Sequence, residues 1–351
     1  MAKSQPPIME INPPLLNSAN PWATTLDDLR SLYACASTGA VTTRTSLIKG
    51  FPHDSNKHKY LFFDSSDHAI AWDRASLRGP ENASLNSLGY SPIALANYLG
   101  FIEAIAKEQP AASPITKYFI VSVTGAPEEV AESYRLIASA QRNITIPLAM
   151  EVNLSCPNIP GAPPPAYSGT SLARYLSVLD GLISSSGDDL PRLPFGLKTP
   201  PFTHDGQFRT LIDVLLASSE RNSGLTPVSF ITATNTLGSC LVLLEGNDNS
   251  GPVPSAQQPA LPGAGFGGMA GAPLHPLALG NVATIRRLLD EHKEKLGHVR
   301  IIGVGGVLDT GGYSRMRSAG ASAVGVGTGL GLKGIGIFKE IESGLSTVDG
   351  K

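Results

Sequence analysis

The chain has 351 residues, 42% of them hydrophobic, enough for a large buried core, and α/β barrels of this length commonly form one domain. Its 27 basic and 29 acidic residues leave a formal net charge of −2, and no segment gathers Lys and Arg into a stripe able to neutralise many phosphates, which argues against a nucleic-acid partner. Cys35, Cys156 and Cys240 lie too far apart for a disulfide framework or a four-thiolate metal site, so a reducing compartment is expected.

The start, Met1-Ala-Lys-Ser-Gln-Pro-Pro, has neither the apolar core of a secretory signal nor the Arg-rich pattern of a transit peptide. No run reaches the roughly 18 apolar residues that span a bilayer. A cytoplasmic protein without membrane contact is therefore expected. After an irregular Pro-rich segment, Pro21 to Leu32 carries apolar residues at helical spacing behind a Thr/Asp start. Short apolar or β-branched runs bounded by turn residues then predict eight strands: Gly39 to Thr43, Ser84 to Ser87, Tyr118 to Val123, Pro147 to Asn153, Pro194 to Lys198, Val228 to Thr234, Val299 to Val304 and Ala323 to Val326.

Helical patterns fall between most of them, at Ile93 to Lys107, Pro127 to Arg142, Ser171 to Ile183, Gly206 to Ala217, Asn281 to Lys295 and Gly311 to Ser318. Alternation of this kind argues for parallel βαβ units, and eight repeats argue for closure into a (β/α)8 TIM barrel, one domain over 1–351. An open doubly wound sheet would want a Gly-rich turn after its first strand, and none is there. Two segments break the repeat: about 49–82, with His53, His58, His68 and several aromatics, and about 241–263, rich in Gly, Pro and Ser. Both follow barrel strands, at the face where this architecture builds its active site, and the first has enough aromatic content for a small subdomain.

The chemistry concentrates at predicted strand ends. Asn153-Leu-Ser-Cys156-Pro-Asn158 sets a thiol between two carboxamides. A buried free cysteine is more often an inert small hydrophobe, but its place at a strand's C-terminal end favours a reactive role. Gly196-Leu-Lys198 puts a lone cation at the next strand end, which needs an anion, and Ala233-Thr-Asn235-Thr236 adds a carboxamide and hydroxyls. Gly305-Gly306 and Gly327-Thr328-Gly329 follow the last two strands, where barrels commonly hold phosphate on backbone N–H groups. Gly329-Leu-Gly331-Leu-Lys-Gly334 mimics a dinucleotide fingerprint, but the chain ends before the required acidic residue. No His, Cys or carboxylate spacing supports a metal centre.

Together, Asn153-Leu-Ser-Cys156-Pro-Asn158-Ile-Pro-Gly161, Gly196-Leu-Lys198-Thr-Pro-Pro, Asn235-Thr-Leu-Gly238, Phe266-Gly-Gly-Met-Ala-Gly271, Gly305-Gly306 and Gly327-Thr328 resemble the dihydroorotate dehydrogenases, from about Ile11 to Ile341. A cysteine base followed by Pro-Asn-x-Pro-Gly looks most like the soluble, homodimeric class 1A branch, which uses fumarate as acceptor. The resemblance implies FMN held by Arg44, Thr45, Asn153, Lys198, Thr234, Gly271, Gly305, Gly306, Gly327 and Thr328. It implies dihydroorotate bound by Arg44, Asn86, Ser87, Leu88, Gly89, Asn153, Asn158, Asn235 and Thr236, with Cys156 taking the C5 proton as hydride leaves C6 for the flavin.

The departures are specific. Thr43-Arg44-Thr45 stands where the family has Thr-Lys-Ser, and arginine changes reach and geometry. Asn20 replaces a glycine and narrows the approach to the flavin, Ala162-Pro-Pro164 replaces Lys-Pro-Gln, and the segment 49–82 replaces a shorter Arg-Glu-Gly-Asn-Pro stretch. The flavin half of the site matches and the substrate half is altered. Two other readings therefore stay open: an FMN-dependent ene-type oxidoreductase acting on another small cyclic amide or enone, and a non-catalytic flavin-binding barrel.

Overall fold

The computed structural model describes residues 5–109, 117–155, 164–185, 189–244 and 258–348. Eight strands close into a barrel, in chain order Leu15–Asn17, Ala40–Thr42, Tyr118–Val123, Leu148–Asn153, Phe195–Lys198, Phe230–Ala233, Arg300–Val304 and Ala323–Val326. Each pairs in parallel with its sequence neighbours, and the eighth closes on the first from Leu15↔Val324 to Asn17↔Val326. Helices Leu26–Ala34, Leu95–Lys107, Pro127–Gln141, Gly169–Ser185, Asp205–Arg221, His275–Glu291 and Thr310–Ser318 connect them, and Thr328–Lys333 and Gly336–Val348 follow the last strand. The chain therefore adopts the expected (β/α)8 barrel.

Two expectations change. Ser84 to Ser87 is extended, but Ala83–Asn86 pairs antiparallel with Gly267–Gly271 and Tyr60–Phe63 in a separate five-stranded sheet completed by Leu237–Cys240 and Ile70–Ala71. The missing barrel strand is Leu15–Asn17, three buried residues inside the Pro-rich start. The first helix begins at Leu26 rather than Pro21, because Thr25 caps it: the Asp28 N–H donates to Thr25 Oγ1 at 3.1 Å and the Thr25 N–H to Asp28 Oδ2 at 2.9 Å.

Period-two alternation sorts the barrel strands into an outer face, packed under the helices, and an inner one. Low in the interior, Leu16, Ala40, Ile120, Ala149, Phe230 and Ile302 form one apolar cluster. Gly196 is required there, since a Cβ on it would lie 2.3 Å from the Phe230 ring. The sheet splits its side chains in the same way. Leu61, Phe63, Ala83 and Leu85 pack with Val242 and Leu261, whereas Phe62 stacks on Trp22 at 5.6 Å and Ser84 meets Thr328 Oγ1 at 2.9 Å. The sheet thus roofs one side of the barrel mouth. Among the described residues no helix is long and apolar enough to cross a membrane.

Candidate active site

An open cavity of about 1060 Å³ lies at the C-terminal ends of the strands. Adjacent strand ends present its polar groups: Asn153 is paired with Lys198, and Lys198 with Thr232, across three consecutive strands. Backbone bonds hold the turns that follow, with the Thr234 N–H on Val304 O at 2.9 Å and the Asn235 N–H on Thr199 O at 2.9 Å. The only charged residues among its described lining are Arg44 and Lys198. Lys198 is 3% exposed, yet its ammonium has no hydrogen bond or ion pair among the described residues. Arg44 donates from Nη2 to Gly89 O and Tyr90 O, both at 3.3 Å, and burial lowers its pKa from the ordinary value. A chain of net charge −2 thus keeps two cations and, among the described residues, no carboxylate in one cavity, an arrangement that calls for an anionic occupant.

The carboxamides have fixed orientations. A backbone N–H can only donate, so the bond from Ser155 N at 3.2 Å identifies Oδ1 of Asn153, which also accepts from Ser155 Oγ at 2.9 Å. Nδ2 of Asn153 then donates to Thr45 Oγ1 at 3.0 Å, and its second hydrogen has no acceptor among the described residues. Asn235 is turned the other way. Its Oδ1 accepts from the Thr236 N–H at 2.9 Å, and Nδ2 donates to Ser155 Oγ at 2.8 Å and Ser155 O at 3.2 Å. The cavity is offered an N–H by Asn153 and a carbonyl lone pair by Asn235, the complement of a lactam edge.

At the other end, Gly305 and Gly306 turn with φ of 138° and 67°. A Cβ on Gly306 would lie 2.6 Å from both Gly271 O and His275 Cβ, so no other residue fits the turn. Beside it Gly327 and Thr328 open a short helix. This glycine-lined end offers backbone N–H groups suited to a phosphate, the buried Thr234 Oγ1 at the strand ends has no hydrogen-bond partner among the described residues, and Lys198 supplies positive charge. Together these features fit a flavin mononucleotide.

Of the residues expected from sequence, Arg44, Thr45, Asn86, Leu88, Gly89, Asn153, Lys198, Thr234, Asn235, Thr236, Gly271, Gly305, Gly306, Gly327 and Thr328 line this cavity. Ser87 does not: its Oγ donates to Lys57 O at 2.7 Å and accepts from the Lys59 N–H at 3.2 Å, tying down the first insertion instead. Cys156, Asn158 and most of the second insertion lie outside the described residues. Asn20 lines the cavity, where it accepts from the Trp22 N–H at 2.9 Å. Sequence reasoning missed Trp22, Tyr60, Ser84 and Tyr90. Tyr60 and Ser84 alternate with core residues along their strands, a signal that becomes useful only once the second sheet is known.

Comparison with known proteins adds to this geometry. The family model described as dihydroorotate dehydrogenase matches residues 76–348. The dihydroorotate dehydrogenase (fumarate) of Trypanosoma cruzi is 30% identical over 334 residues, covering 95% of this chain and 88% of that protein. Dihydroorotate dehydrogenase A (fumarate) of Lactococcus lactis subsp. cremoris is 26% identical, covering 84% of this chain and 76% of its own length. In fold, the ligand-free dihydroorotate dehydrogenase of Eimeria tenella superposes with a TM-score of 0.69 at 16% identity, covering 96% of this chain and 84% of that one.

Proposed function

The chain belongs to the dihydroorotate dehydrogenase family, and from that membership we propose that it oxidises dihydroorotate to orotate, with FMN as its flavin and fumarate as the terminal acceptor. The observation that carries the proposal is the cavity in which Arg44 and Lys198 face no carboxylate among the described residues. FMN, when bound, would supply the two-electron sink for the hydride that leaves C6. Lys198 would offset negative charge on the flavin ring, and Gly305, Gly306, Gly327 and Thr328, which line the same cavity, would hold the phosphate. Asn153 donates to a ring carbonyl and Asn235 accepts from a ring N–H, while Arg44 takes the carboxylate. Cys156 receives the C5 proton, a role supported by its sequence context between Asn153 and Asn158. The working unit is a cytoplasmic homodimer, in keeping with the class 1A resemblance.

Purified protein supplied with dihydroorotate and fumarate is expected to form orotate and succinate in equal amounts, and Cys156→Ser to form both at least about a hundredfold more slowly. Orotate formation that ignores fumarate while oxygen or a quinone sustains it would remove the assigned acceptor. Turnover of another cyclic amide or enone without any of dihydroorotate would favour the ene-type reading.

A further inference from the structure

Glu151 lies inside the barrel on the fourth strand, 2% exposed, and does not line the cavity. It forms no ion pair among the described residues. A carboxylate buried in a barrel interior is costly unless its oxygens are hydrogen-bonded, and here each accepts from a hydroxyl. Oε1 lies 2.8 Å from Ser122 Oγ and Oε2 lies 2.7 Å from Thr232 Oγ1. Ser122 Oγ continues to Thr45 Oγ1 at 2.9 Å, and Thr45 Oγ1 to Asn153 Nδ2 at 3.0 Å.

The direction of this chain follows from its two ends. The Ser155 N–H fixes Oδ1 of Asn153, so the group facing Thr45 is the amide nitrogen, which only donates. At the other end a carboxylate oxygen only accepts, so Ser122 gives its single hydroxyl hydrogen to Glu151 and is left to accept that of Thr45. Every bond points the same way: Asn153 to Thr45 to Ser122 to Glu151. Such a chain needs a terminal acceptor with no hydrogen to return on that side, which a carboxylate oxygen is. Without it, the Ser122 hydrogen has no partner or turns onto Thr45 Oγ1, where it competes with the Asn153 N–H for the same oxygen and loosens the carboxamide.

We infer that Glu151 is a positioning residue for ligand recognition: through Ser122 and Thr45 it locks the Asn153 carboxamide so that an N–H, and not a carbonyl oxygen, faces the cavity. The ligand-binding consequence rests on the function proposed above, whereas the lock itself does not. The chain explains why a hydroxyl at position 45 and another at 122 face each other across neighbouring strands, and why the interior layer just below the cavity is polar. It also assigns a chemical requirement to the occupant, a hydrogen-bond acceptor opposite Asn153.

The test combines Glu151→Leu, Glu151→Gln and Ser122→Ala, each alone and with Asn153→Ala. Glutamine keeps an oxygen for Ser122 and turns its amide to Thr232, so Glu151→Gln is expected to bind orotate within about threefold of the parent, read from the flavin absorbance change. Glu151→Leu and Ser122→Ala are expected to weaken orotate about tenfold, the effect of one misdirected hydrogen bond, and to add nothing to the loss caused by Asn153→Ala. In the ligand-free protein, the Asn153 side-chain NH2 resonance, identified by its disappearance in Asn153→Ala, is expected to shift in Glu151→Leu and Ser122→Ala and to stay in place in Glu151→Gln. Losses that are additive with Asn153→Ala, or a glutamine variant as impaired as leucine, overturn the inference. If the parent binds neither FMN nor orotate, the functional proposal fails, and an NH2 resonance unmoved in Glu151→Leu and Ser122→Ala overturns the lock independently. Should Glu151→Leu not fold, Ser122→Ala breaks the same chain at its middle link.

Discussion

Lys198 concentrates the chemistry of this cavity in one side chain. An ammonium 3% exposed at a strand end, with no hydrogen bond or ion pair among the described residues, is costly in an empty barrel and useful beside an anion. Lys198→Ala is therefore expected to make the folded protein more stable without ligand and to weaken FMN binding about ten- to hundredfold, the range of a hydrogen bond to a charged group. Its flavin potential is expected to fall, because the reduced, anionic ring loses its counter-charge. Thermal unfolding with and without FMN, with a spectroelectrochemical titration, checks both; unchanged FMN affinity and potential would put Lys198 away from the ring. Lys198, Asn153 and Asn235 were legible in the sequence because strand ends place polar residues where apolar runs stop. Ser87 was misread because it neighbours Asn86 and was credited with the same direction, whereas successive side chains in extended backbone point to opposite faces.

The turns and strand starts carry the next level of the account. The Gly305–Gly306 turn exists because its φ values and the 2.6 Å approach to Gly271 O exclude any Cβ at Gly306. Gly306→Ala is expected to lose about 1–3 kcal/mol of stability and most FMN retention together, measured by denaturant unfolding and by flavin content after gel filtration. Full flavin content would separate this turn from the cofactor. At the opposite end, Lys117 precedes the third barrel strand and donates from Nζ to Cys35 O at 2.8 Å, Thr38 Oγ1 at 3.0 Å and Thr38 O at 3.2 Å, just beyond the first helix. Burial pulls its pKa down to about 8. The unfolded lysine titrates near its ordinary value of roughly 10.4, so between those limits the folded state binds fewer protons and this group's contribution to stability rises with pH. Tyr33, pushed up to about 12 by its own burial, opposes that trend once its unfolded phenol ionises near pH 10, which bounds the useful window at about pH 8–10. Lys117→Met is expected to flatten the rise in unfolding free energy across that window, and a slope equal to the parent's would assign the titration elsewhere.

At the scale of the whole molecule, the barrel's topology was readable and the roof of its mouth was not. Alternating apolar runs and helical patterns specify sequential parallel pairing almost by themselves. Leu15–Asn17 escaped because three residues between prolines show no periodicity, and only closure against Ala323–Val326 makes them a strand. The second sheet pairs Ala83–Asn86 with Gly267–Gly271, a partner almost two hundred residues away that no local pattern announces. That sheet brings Tyr60, Ser84 and Asn86 over the cavity, so segment 49–82, which supplies Tyr60, shapes its roof. The result is a chain of net charge −2 whose cavity, among the described residues, is lined by two cations and no carboxylate, the charge pattern on which the proposed binding of an anionic flavin and an acidic ring rests.

The measurement that tests this most directly is anaerobic mixing of the purified, FMN-loaded protein with stoichiometric dihydroorotate, followed by fumarate. The account predicts that the visible flavin band bleaches on the first addition and returns on the second. A band that dithionite bleaches but dihydroorotate leaves unchanged, under conditions where a class 1A relative responds, would contradict it.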